Sequence, residues 1–155
     1  GVGDVWVRYK RQVHAGDKVT VSLLPYVKIP TAARGLGNDE VEGGVAVPIS
    51  FALSGATLTF GPQVDLLLDG DGEGRHAAVS NVLNLARPVT DRLTLVGELW
   101  TSTNFDPADT VTQASADVAA VYLVAPTLQL DVGANFGLNR DTPDAQAYVG
   151  VSKRF

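Results

Sequence analysis

The chain has 155 residues, enough for one domain with a single sizeable core or barrel and too few for two. It has no cysteine, which excludes a disulfide framework and a thiolate metal site, and its net charge of −5 leaves no basic patch for nucleic acid. Hydrophobic residues make up 45% of the sequence, yet no apolar run approaches the 18 or so residues of a spanning helix, so a chain that crosses a membrane must do so as strands.

Taken in order, the sequence alternates with a period of two, the signature of a strand with unlike faces. In the first strand Val5, Val7, Tyr9 and Val13 oppose Asp4, Trp6, Arg8, Lys10, Gln12 and His14, up to a turn at Ala15-Gly16-Asp17. The second sets Val19, Val21, Leu23, Pro25, Val27 and Ile29 against Thr20, Ser22, Leu24, Tyr26 and Lys28, and a polar loop follows from Pro30 to Glu40. The third carries Val45, Val47, Ile49, Phe51 and Leu53 opposite Glu42, Gly44 and Ser50, and turns at Ser54-Gly55-Ala56. In the fourth, Leu58, Phe60, Val64 and Leu66 oppose Thr57, Thr59, Gln63 and Asp65, before an acidic loop from Asp69 to Arg75.

The fifth strand spans about 76–87, with an unclear phase because Asn81 falls among Val79, Leu83 and Leu85. The sixth puts Leu93, Leu95 and Leu99 opposite Glu98 and Trp100, and a third long loop is expected from Ser102 to Gln113. The seventh sets Ala116, Val118, Ala120 and Tyr122 against Ser115 and Asp117, with its turn at Ala125-Pro126-Thr127. The eighth places Leu128, Leu130, Val132, Ala134 and Phe136 opposite Gln129, Asp131 and Asn135. After a polar turn, the ninth places Val149 and Val151 opposite Tyr148, Ser152 and Arg154 and ends on Phe155.

Nine strands joined by alternately short and long connections, with sixteen glycines scattered among them, predict an all-β fold: an antiparallel up-and-down transmembrane β-barrel. In such a barrel the apolar face meets lipid and the polar face lines the lumen, whereas a soluble lipocalin-like barrel would turn the apolar face inward. The whole of residues 1–155 reads as one barrel domain. A single-chain barrel of this class has an even strand count with both ends on one side. The nine strands are therefore expected to be the C-terminal part of a 10- or 12-stranded barrel, lacking an N-terminal strand or strands and a signal peptide.

The terminal Phe155 resembles the assembly signal of bacterial outer-membrane barrels, although Lys153 departs from the usual aromatic or aliphatic residue. Gly3-Asp4-Val5-Trp6-Val7, Pro25-Tyr26-Val27-Lys28-Ile29-Pro30-Thr31 and Gly150-Val151-Ser152-Lys153-Arg154-Phe155 together resemble the family of outer-membrane transporters named for the meta-pathway of phenol degradation. That resemblance implies a small barrel in the bacterial outer membrane, with no catalytic residues and no cofactor.

The expected lumen-lining set is Asp4, Trp6, Arg8, Lys10, Tyr26, Lys28, Glu42, Asp65, Glu98, Trp100, Asp117, Asp131, Tyr148 and Arg154. Charges of both signs on one face must meet water or each other. They line a water-filled passage or plug it, and an aromatic solute could stack on Trp6, Trp100 or Tyr26 with its carboxylate on Arg8 or Lys10. Asp69-Gly70-Asp71-Gly72-Glu73-Gly74 matches the first half of a calcium loop, but Ser80 stands where the bidentate glutamate belongs, so an acidic hairpin loop is the better reading. His76 and Ser80, four residues apart on one strand face, are about 13 Å apart and do not make a catalytic pair.

Nine of the seventeen acidic residues fall in the four long loops, where divalent cations could bridge them to lipopolysaccharide. The function expected from the sequence is a passive channel for small aromatic or hydrophobic solutes, with outer-membrane lipid, lipopolysaccharide and the barrel assembly machinery as partners. A non-conducting structural or adhesive barrel and a soluble ligand-binding barrel are the alternatives.

Overall fold

The computed structural model describes residues 1–33 and 35–154, and these form one antiparallel sheet with no helix. Its segments are β1 (Val5–Arg8), β2 (Arg11–Ala15), β3 (Val19–Ile29), β4 (Glu42–Ala46), β5 (Ile49–Leu53), β6 (Ala56–Leu68), β7 (Arg75–Pro88), β8 (Leu93–Phe105), β9 (Thr110–Ala125), β10 (Leu128–Gly137) and β11 (Ala145–Lys153).

These segments make nine consecutive runs, because two runs are interrupted without leaving the sheet. β1 and β2 both pair with β3, and β4 and β5 lie together between β3 and β6. The second interruption has a simple cause. Pro48 has no N–H to donate, although its carbonyl still accepts from Ser22 N at 3.0 Å. The rest is a meander, each run beside its sequence neighbour, with β1/β2 and β11 as the outer strands.

Register fixes which residues share a face. Trp6 lies opposite Lys28 and Arg8 opposite Tyr26; Lys28 lies opposite Glu42, and Gly44 opposite Asp65. Further on, Ala78 meets Asn104, Glu98 meets Asp117, Asp117 meets Asn135, and Gly133 meets Tyr148. Most polar positions therefore stand on one face and most aliphatic positions on the other.

Burial is the reverse of a water-soluble sheet. Lys28, Asp65, His76 and Ser115 are buried, and among the described residues Ala78 is the sole buried hydrophobic. Leu130, Val132 and Phe136, which a soluble barrel would place in a dry core, are 43%, 52% and 48% exposed. At roughly 1.5–3 kcal/mol for each large aliphatic or aromatic side chain left in water, such a face is stable only against an apolar medium. The polar face, by contrast, is covered by its own side chains.

Three expectations need correcting. Residues from Ser102 to Gln113 are mostly strand: β8 continues to Phe105, β9 starts at Thr110, and the connection is 106–109. This stretch alternates threonine with serine, glutamine and asparagine and so carries little apolar signal, but β-branched threonine suits a strand and the pairing continues through Phe105 opposite Thr110. The connections therefore do not alternate strictly between short and long, since 89–92 and 106–109 are equal in length.

Second, a register shift between Gln12 and His14 sets His14 opposite Val21, so His14 shares the aliphatic face instead of pointing to the polar one. Third, β7 keeps one phase throughout, with Asn81 on the aliphatic face opposite Pro62 and Thr101. Phe155 lies outside the described residues.

Gly44 makes a close approach possible. A Cβ there would lie 2.6 Å from the Val64 carbonyl oxygen and 2.9 Å from the Tyr26 ring, and the empty space lets Tyr26 reach across β4. Gly44→Ala is expected to cost about 2 kcal/mol by overpacking, read as a lower urea midpoint of the refolded protein. Gly61→Ala, whose Cβ would meet Val82 at an ordinary 3.7 Å, should stay within about 0.5 kcal/mol of the parent.

Candidate functional site

The polar face carries three groups of interacting side chains. The first is at the end of the sheet nearest the 30–41 loop. Lys28 Nζ sits 2.8 Å from Glu42 Oε2 and 3.5 Å from Asp4 Oδ2, and it also donates to Asn38 Oδ1. Glu42 Oε1 accepts from Asn38 Nδ2 at 2.7 Å and from Leu68 N at 3.1 Å. Asp4 Oδ1 accepts from Thr31 N at 3.0 Å and Ala32 N at 2.9 Å. One lysine thus ties β3 to the residue before β1, to β4 and to the far end of the loop. The backbone N–H of Ala32, followed by the Lys28 ammonium, outweighs the effect of burial and lowers the Asp4 pKa below its ordinary 3.8.

The second group stands beside it. The Trp6 and Tyr26 rings lie 5.1 Å apart, and the Arg8 guanidinium lies 5.4 Å from the Trp6 centroid and 5.9 Å from that of Tyr26. The Tyr26 hydroxyl donates to Asp65 Oδ1 at 2.6 Å, and Gln63 Nε2 donates to both carboxylate oxygens of Asp65, at 2.9 and 3.0 Å. These side chains line a cavity of about 300 Å³.

Across the sheet is the third group, centred on Glu98 and Asp117, which face each other on β8 and β9. Asn84 Nδ2 donates to Glu98 Oε2 at 2.9 Å, and Asn135 stands opposite Asp117 on β10. The loop from 138 to 144 folds toward this group. With Trp100, Gln113 and Pro143 the pair lines a cavity of about 330 Å³.

Of the residues expected to line a lumen, Trp6, Arg8, Tyr26, Lys28, Glu42, Asp65, Glu98, Trp100, Asp117, Asp131 and Tyr148 share this face by register. Trp6 and Tyr148 are about half exposed because they stand on the sheet's outer strands. Tyr148 packs over Gly133, where a Cβ would come within 2.5 Å of its ring. Asp4 precedes β1 and joins the face through Lys28, and Lys10 is exposed in the break between β1 and β2. Arg154 borders Gln129 and Ser152 of that face. It lies past β11, at the short-turn rim, and its guanidinium donates to the Pro126 carbonyl at 3.5 Å.

Several participants are not apparent from residue type alone. Asn38, Asn84 and Asn135 are neutral, and only register shows which charge each one meets. His76 is buried with Nδ1 2.8 Å from Asp69 Oδ1 and 3.9 Å from Asp106 Oδ2, so it ties the 69–74 and 106–109 connections together. Asp106 could be matched to His76 only once β8 is extended to Phe105. The Ala108 and Gly70 N–H groups both donate to Asp106, which holds its pKa below 3.8. Ser80 bonds Ser102 at 2.9 Å and not His76, so these residues form no nucleophile–base pair. Asp69, which opens the half-match to a calcium loop, is occupied by His76, and no group of three or more His, Asp or Glu set to hold a metal occurs among the described residues.

Two expectations follow for the first group. Lys28→Met leaves two carboxylates facing each other and should cost on the order of 2 kcal/mol, measured as a shift in urea midpoint, with Lys28→Arg recovering part of it. Because the folded-state pKa of Asp4 is depressed, its stabilisation is complete above the unfolded value near 3.8 and is lost as pH falls through the lower folded value. The protection factors of the Thr31 and Ala32 amides, corrected for intrinsic exchange, should therefore fall below about pH 4, and in Asp4→Asn they should be low and show no such step across that range.

Compared with known proteins, the chain matches over residues 1–155 the model of a family described as "Putative MetA-pathway of phenol degradation". No curated protein matches it.

Proposed function

We propose that this chain, which belongs to that family, forms most of the wall of a bacterial outer-membrane β-barrel that lets small solutes diffuse passively across the membrane. The observation that carries this reading is the inverted sheet. A continuous aliphatic face is left exposed while lysine, aspartate, histidine and serine are buried on the other. Lipid is the medium that makes such an arrangement stable, and antiparallel strands closed into a ring are the sheet form that lipid tolerates. Runs of 9–16 residues, counting each interrupted pair as one, suit tilted strands across the apolar layer.

In this reading the polar face lines the passage. The side-chain groups leave cavities of about 300 and 330 Å³ along this face, room for small solutes, which supports the channel reading over a purely structural or adhesive barrel. No chemical step is assigned to the protein. Small aromatic solutes are the favoured class, because the family is named for phenol degradation and because Trp6, Tyr26, Trp100 and Tyr148 offer stacking surfaces along the face. Lipid, lipopolysaccharide at the longer loops and the barrel assembly machinery are the proposed partners.

The test is single-channel recording of the full-length mature protein in a planar bilayer with phenol as competing solute. Steady openings with reduced current in phenol support the reading. A folded, heat-modifiable protein that inserts but never opens would leave the structural barrel in its place.

A further inference from the structure

The charges on the polar face are not evenly mixed. Among the described strand residues, the lysine and arginine side chains of this face belong to β1 and β3, where Lys28 is held by Asp4 and Glu42 and the Arg8 guanidinium lies by the rings of Trp6 and Tyr26. From β6 through β10 the same face presents Asp65, Glu98, Asp117 and Asp131, and among the described residues no lysine or arginine shares it. Arg75 and Arg87 of β7 fall on the opposite face, opposite Leu68 and Leu95.

The densest point is the facing pair Glu98 and Asp117. Two like charges directly opposite on neighbouring strands repel. Here they come with one neutral donor, Asn84, and Asp117 Oδ1 is closed off from solvent with no hydrogen-bond partner. A buried carboxylate oxygen without a donor is costly, and a mobile cation is the partner that would satisfy it without a built-in base. The cavity of about 330 Å³ in front of the pair gives a cation room to enter, and Trp100 supplies a face to an organic ammonium as well as to a hydrated metal ion.

We propose that Glu98 and Asp117 make the passage cation-selective: small cations and neutral aromatic solutes are admitted, and carboxylates are repelled. The inference rests on the channel reading and narrows its solute class. It runs against capture of an aromatic carboxylate by Arg8, because the rest of the face, from β6 through β10, is acidic. Charge rings in water-filled pores act through the local counter-ion concentration they maintain, so the effect needs no tightly bound ion.

The experiment is the reversal potential of the full-length mature protein in a planar bilayer under a KCl gradient. Wild type should show potassium preferred over chloride, and the near-isosteric double variant Glu98→Gln/Asp117→Asn should lose that preference by on the order of tenfold. Glu73→Gln, in the exposed 69–74 connection, should keep it. Preference for chloride, or none, in the wild type overturns the inference while leaving the channel intact. A cation preference that survives in a conducting double variant overturns the assignment to this pair. A wild-type protein that inserts without conducting removes the channel reading, and the selectivity falls with it.

Discussion

A β-strand gives each side chain one of two faces, and nothing in the backbone allows a third. In this chain that choice is made the same way for nine runs, so a covered polar face and a bare aliphatic one extend across the whole sheet. Everything else follows from the need to stabilise a polar interior. Glycines at Gly44 and Gly133 let large side chains cross a neighbouring strand, asparagines stand beside carboxylates, and one lysine is shared by two acids. A soluble core is held by packing of shapes. This one is held by pairing of charges and donors, which is more directional and more dependent on register.

The side-chain groups handle the mixed charge of one face in two ways. Where a lysine meets carboxylates, at Asp4 and Glu42, the charges are neutralised locally and brace the wall. At Glu98 and Asp117 the facing carboxylates have no basic partner among the described residues. The same residue types thus serve as bracing in one half of the sheet and as a field in the other.

The faces were legible because alternation survives in almost every run, and eleven of the residues expected on the polar side stand there by register. The failures have local causes. Ser102 to Gln113 is hydroxyl-rich on both sides, so the period-two contrast vanishes while the strand persists. At His14 a single extra residue reverses the phase, and a bulge leaves no mark that residue type alone can show. The groupings were the least legible part. Alternation says that Lys28, Glu42 and Asp4 share a side, but only the pairing of β3 with β1 and β4 brings them into contact.

The two longest connections on the rim are fastened by different forces. The 30–41 loop is held to the wall by ionised groups, through Asp4 and the Lys28–Asn38 contact. The 138–144 loop is held by neutral amides and a hydroxyl: Asn139 Nδ2 donates to the Thr112 carbonyl, Gln113 Nε2 to the Asp141 carbonyl, and Ala114 N to Thr142 Oγ1. Because the Lys28, Asp4 and Glu42 side chains are largely buried, dissolved salt screens even the first kind of fastening only weakly. The two connections therefore answer to different changes, one to a change of charge and the other to a change in amide and hydroxyl pairing.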